Sequence, residues 1–287
     1  MRSYSSDLAD PCFYIILHFP GLLDRPSEAM GRGVDYWFLI AATVLAAIGG
    51  VTGMRSLKHG KRSQATVWWM GAAFLAQIGF LGIRGEARAA CPLVGIGEIL
   101  VFLAWSLTLF YILVGPTYRI SLLGVFSAPV VVVFQAVALI PGVMDKNPEP
   151  VGTTSAWGET HAAMSVLSYG ALALAAVSSV MFLVLNRQLK DQHLTSGLFR
   201  KLPPVHELLV SSRRLLWIGW IMLTVGVVAG FMMDPSSLNA HLIAAMIIWI
   251  AYAALIGIAQ FRGLTGQRFS LATIVLFILS LSVFALI

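Results

Sequence analysis

Charged side chains are scarce in this sequence. Asp, Glu, Lys and Arg make up 11% of 287 residues, where a soluble domain carries roughly 25%. That shortage excludes a soluble globular fold of this length. Cysteine is almost absent: Cys12 and Cys91 form neither a CxxC nor a CxxCH motif, so they support neither a zinc site nor covalent haem attachment. A P-loop, HExxH and GxSxG are also missing, which removes the common nucleotide-binding, zinc-protease and serine-hydrolase signatures. No tandem repeat, low-complexity tract or pair of broken helices of the inverted-repeat transporter kind is visible. What the chain does have is apolar surface: 58% of residues are hydrophobic and the mean hydropathy is +0.84. This composition describes an integral membrane protein.

Eight apolar runs follow a mixed N-terminal stretch. They lie near Tyr36–Met54, Val67–Ile83, Ile96–Val114, Ile120–Ile140, His161–Asn186, Leu215–Met233, His241–Gln260 and Phe269–Ile287. At about 20 residues per span, the runs predict an all-α, polytopic bundle of about eight transmembrane helices. The apolar patch from Cys12 to Leu23 is too short to span and is broken by Pro20. It is read as part of an N-terminal extension over residues 1–35, with no signal peptide expected and Met30 as an alternative start.

Lys and Arg outnumber Asp and Glu by 19 to 13. In a membrane protein such an excess belongs to loops that fix orientation rather than to nucleic-acid binding. Arg55, Lys58, Lys61, Arg62, Arg119, Arg187, Lys190, Arg200, Lys201, Arg213, Arg214, Arg262 and Arg268 all fall in alternate loops. Those loops are expected to be cytoplasmic, which places both termini and the Pro141–Thr160 loop outside.

With that orientation His161 stands at the outer surface where the fifth helix begins, four residues after Trp157. An imidazole there can ligate a haem iron, and an indole can stack on a flat macrocycle. The same two residues would also serve as plain interface anchors. His241 begins the seventh helix on the same side, where a polar helix start capped by Asn239 is the alternative. Tyr169 lies two turns beyond His161 and is placed with it on one groove. Intramembrane charge is confined to Arg84, Glu86 and Glu98, where a carboxylate paired with Arg84 or Arg88 competes with a functional role.

The stretch from His161 through Ser168 and Tyr169 to Leu189 and Lys190 resembles the cytochrome c assembly superfamily that includes CcsA, CcmC and HemX. Pro92, Glu98, Phe102 and Trp105 in "CPLVGIGEILVFLAWS" match a second segment of that family. "LPPVHELL…LTVGVVAGF", "IIWIAYAALI" and "RGLTGQR" are similar to three more, in the family's order from about Tyr36 onward. The resemblance implies a cytochrome c assembly-type transmembrane domain over residues 36–287 of an inner-membrane protein. It implies haem binding or delivery at the outer face, with His161 and His241 as axial ligands and Trp157 and Tyr169 in support. It further implies a ResB/CcsB-like membrane partner and an apocytochrome c, alongside membrane lipid and no nucleic acid. The chain itself is read as a non-catalytic part of any synthase complex.

The departures bear on the cofactor. The tryptophan-rich loop of haem-handling members is reduced here to "FMMDPSSLN", and the family's His late in the seventh helix is replaced within "GIAQF". This pattern is closest to the HemX-like and YpjD-like branch. The competing reading is a membrane regulator or scaffold of the same fold that has lost haem, and a small-solute permease is a third class.

Overall fold

Each apolar run becomes a helix, because backbone placed in hydrocarbon must satisfy its own N–H and C=O groups. The structure is a computed structural model that describes residues 33–58, 64–117, 121–145, 148–150, 155–190, 205–233 and 240–282. Within these residues lie α1 (Val34–Lys58), α2 (Gln64–Arg88), α3 (Ile96–Thr117), α4 (Ser121–Ala138), α5 (Ala156–Lys190), α6 (Val205–Phe231), α7 (Ala240–Ile258) and α8 (Gly266–Leu281). A π-helical turn, Ala259–Gly263, closes α7. Six helices are long and apolar enough to cross a membrane, and α4 and α8 are shorter apolar helices. The fold is thus the expected all-α polytopic bundle. Nearly all of the N-terminal extension and the centre of the basic Arg187–Arg214 loop lie outside the described residues.

Two helices extend well beyond their apolar runs. α5 starts at Ala156, a turn before His161, because the Ser155 hydroxyl accepts the Gly158 N–H at 3.1 Å and caps the first turn. α6 starts at Val205, ten residues before Leu215. Its early turns are amphipathic rather than apolar, and they bury Leu208, Ser211 and Ser212.

The helices pack as two halves. α1 lies on α2 and α4, and α3 on α2 and α4; α6 packs on α5, and α7 on α6 and α8. α5 joins the halves by touching α3, α4, α6 and α8. Its central position follows from its small side chains. Ala171, Ala173 and Ala175 are fully buried, and Gly170 lies directly against the Ser106 side chain on α3. Serines join α5 to α6: Ser178 donates to the Leu208 carbonyl at 3.2 Å, Ser212 donates to the Ala175 carbonyl at 3.0 Å, and the Ser179 and Ser212 hydroxyls are 2.9 Å apart. Small residues and short hydroxyls let backbones approach where apolar contact with lipid offers no net drive.

This packing separates two glycines of similar appearance. A Cβ at Gly170 would stand 2.5 Å from the Ser106 Cβ and 2.8 Å from its carbonyl carbon, whereas a Cβ at Gly257 meets nothing within 4 Å. Gly170→Ala should therefore destabilise the purified protein by about 1–3 kcal/mol, seen as a lowered midpoint in thermal denaturation. Gly257→Ala should leave the midpoint unchanged or raise it slightly.

Candidate functional site

Charge inside the membrane is expensive and must be paired. At the end of the bundle that carries the start of α5, four segments bring such charge together. Arg84, near the end of α2, has no exposed surface. Its Nε lies 2.8 Å from Asp35 Oδ2 at the start of α1, and its Nη1 lies 3.4 Å from Glu98 Oε1 at the start of α3. Its Nη2 donates to the Asp145 carbonyl at 2.8 Å. Arg88, one turn later, donates to Glu98 Oε1 from Nε and Nη2 at 3.1 and 3.0 Å. The same Nη2 is 2.7 Å from Asp145 Oδ2, and Nη1 donates to the Glu149 carbonyl at 3.4 Å. Glu98 Oε2 accepts the Val94 N–H at 3.3 Å. The rings of Tyr36 and Phe80 each lie 5.6 Å from the Arg84 guanidinium carbon.

The two arginines thus hold the connection that leads into α5. In the first turns of that helix His161 turns inward and is 9% exposed. Its Nδ1 lies 2.7 Å from the Gly226 carbonyl on α6. A carbonyl only accepts, so Nδ1 carries a proton and Nε2 is the ring nitrogen left to serve as a ligand. This is the second-shell arrangement that orients a metal-ligating histidine. Glycine makes the approach of α6 feasible: a Cβ at Gly230 would lie 2.8 Å from His161 Nδ1 and 2.7 Å from Leu242 Cδ1. α5, α6 and the start of α7 therefore meet at Gly230. His241 directly precedes Leu242, and its side chain lies outside the described residues.

The remaining sequence candidates take different places. Trp157 is 51% exposed, one turn before His161. Tyr169 is buried, and its hydroxyl donates to the Ser280 carbonyl of α8 at 3.3 Å. Eight residues of α-helix run about 80° past two whole turns. Tyr169 accordingly faces α8 while His161 faces α6, and the structure does not gather Trp157, His161 and Tyr169 into one groove. No three His, Cys, Asp or Glu side chains converge as a metal cage among the described residues. The geometry offers one oriented imidazole.

Sequence reading found Arg84, Arg88 and Glu98 but not their acidic partners. Asp35 fell at the end of the N-terminal extension, and Asp145 within the Pro141–Thr160 loop. Glu86 is exposed and takes no part in the ion cluster. The Gly226 carbonyl has no side-chain signature, although "GVVAG" at Gly226–Gly230 is a small-residue spacing that signals close helix approach.

Removing Arg84 would take the counter-ion from the buried Asp35 carboxylate and leave Glu98 to Arg88 alone. Arg84→Ala should cost about 3–5 kcal/mol, read as loss of folded protein by fluorescence-detected size exclusion. Arg84→Lys should rescue little, because a single ammonium cannot reproduce the forked contacts.

Comparison with known proteins agrees with this architecture. The profile described as "Cytochrome C assembly protein" matches residues 93–285, the span from just before α3 to just beyond α8. Over 213 residues the chain is 26% identical to the "Cytochrome c biogenesis protein CcsA" of Synechococcus sp. (strain CC9902), covering 64% of this chain and 70% of that protein. A protein of the same name from Gloeobacter violaceus is 25% identical over 253 residues, covering 68% and 75%. With about two thirds of its length matched, this multi-pass membrane protein belongs to the cytochrome c assembly protein family.

Proposed function

We propose that the chain handles haem at the outer face of a bacterial inner membrane during c-type cytochrome biogenesis, with His161 as an axial ligand. The observation that carries this reading is the 2.7 Å contact between His161 Nδ1 and the Gly226 carbonyl, which fixes the tautomer that an iron ligand needs. Haem is cargo in this scheme and supplies the iron porphyrin that an apocytochrome c receives. His241, from the start of the neighbouring α7, is the proposed second ligand, and the exposed indole of Trp157 offers a stacking surface. Tyr169 supports the site at a distance by holding α5 to α8. Thioether formation belongs to a complex with a ResB/CcsB-like membrane partner, the cysteines coming from the apocytochrome.

Orientation is part of the proposal. The ion cluster brings the α1 start, the α2 end, the α3 start and the connection into α5 to one end of the bundle. Basic residues are concentrated in the loops of the other end, which favours a cytoplasmic placement for that end. A reporter fused after Ile287 should accordingly report outside, and reporters in the Arg55–Arg62 and Arg187–Arg214 loops should report cytoplasm.

Haem titration of the detergent-purified protein tests the cofactor. The unsubstituted chain should develop a Soret band, and His161→Ala should abolish or shift it. Gly230→Ala places a methyl 2.8 Å from Nδ1 and should weaken haem binding about 10- to 100-fold while the protein still elutes as a single folded species. His241→Ala should weaken the band. Uptake of no haem by the unsubstituted protein would sink the haem reading and leave a regulator or scaffold of the same fold.

A further inference from the structure

We propose that Gln77, Gln135 and Trp105 line an internal site for ordered water between α1, α2, α3 and α4, below the ion cluster. Gln77 on α2 and Gln135 on α4 have no exposed surface, and Trp105 on α3 is 5% exposed. Both amide atoms of each glutamine and the indole N–H of Trp105 are buried without a hydrogen-bond partner among the described residues. Hydrocarbon offers them no partner either. Folded proteins satisfy nearly every such group, with ordered water where the chain does not reach.

Helix register places these groups at one level. α2 and α4 run parallel, since Arg84 near the end of α2 donates to the Asp145 carbonyl just beyond α4. Toward the opposite end the two helices touch: a Cβ on Gly124 would lie 2.9 Å from Thr66 Cγ2. Gln77 and Gln135 each stand eleven residues beyond that contact. Eleven residues are three turns and about 20°, a rise of about 16 Å, so the two amides share a height and a facing direction. Trp105 comes to the same level by the antiparallel run of α3. It is seven residues past Glu98, as Gln77 is seven residues before Arg84, and those two side chains are ion-paired. The Trp105 ring stacks on Phe74, one turn from Gln77, with centroids 5.7 Å apart. Small side chains surround the level: Ala73 precedes Gln77 by four residues, Ala138 follows Gln135 by three, and Ala42 lines the buried face of α1.

The groups favour water chemically. Two amides and an indole offer five N–H donors and two carbonyl acceptors with no charge. Water, as both donor and acceptor, meets such a set and needs only two to four partners. The site lies about two helical turns inward from the ion cluster.

Radiolytic hydroxyl labelling of the full chain in lipid nanodiscs, read by mass spectrometry, tests this. Bound water generates radicals in place, so Trp105 should be modified several-fold faster than Phe182, which is equally buried at 5%, after correction for intrinsic reactivity. In the double variant Gln77→Leu with Gln135→Leu, the Trp105 rate should fall to that of Phe182. Gln135→Leu alone should lower it part of the way and serves if the double variant does not fold. Unsubstituted protein in which Trp105 reacts no faster than Phe182 overturns the proposal. So does an unchanged Trp105 rate in a folded leucine variant.

Discussion

The guanidinium of Arg84 sets the terms for one whole end of the molecule. A cation without exposed surface in a membrane bundle must find acceptors around its fork, and no single neighbouring helix supplies enough of them. Asp35 comes from α1, Glu98 from α3, and a backbone carbonyl from the stretch beyond α4. Meeting that demand fixes how α1, α2 and α3 meet, and it ties down the connection that enters α5. The start of α5 is then set by Ser155, and the depth of His161 follows from the start of α5. The oriented imidazole thus depends on electrostatics in the first half of the chain and on glycines in the second.

Much of the fold was legible because the membrane leaves a chain few choices. Among the described residues the eight apolar runs gave eight helices in the expected places, and α3, α4 and α7 agree closely at their starts. The errors lie where apolarity and helicity part company. α6 continues ten residues beyond the apolar run because its early turns pack against α5 through Leu208 and two serines rather than facing lipid evenly. The site was legible only in part. His161 at a helix start was visible, as was the pairing of Glu98 with arginine. The carbonyl that holds His161 was not, since a backbone acceptor leaves no mark on residue identity. Grouping Tyr169 with His161 treated eight residues as whole turns, and the residual rotation sends the phenol to α8. Gln77 and Gln135 drew no notice because a single amide leaves a long run apolar and carries no charge to mark it.

The family match begins at residue 93, and this boundary divides the ion cluster. Glu98 and Asp145 lie within the matched region, while Asp35, Arg84 and Arg88 belong to the two helices that precede it. Those two helices are therefore joined to the family core by buried ion pairs as well as by packing. The halves also differ inside. The first carries charged and amide groups toward its axis, and the second is closed by glycine, alanine and serine contacts between α5 and α6.

The ion cluster also imposes an order on biosynthesis. Its members are translated as Asp35, then Arg84 and Arg88, then Glu98, and last Asp145. When α2 has been made, Asp35 is the only carboxylate of the cluster yet synthesised, and α3 delivers Glu98 soon afterwards. The connection into α5 has no seat until all three helices are in place. Both carboxylates that neutralise the two buried arginines are thus synthesised before the segment bearing His161, so the second half can be laid against a first half whose charges already have their partners.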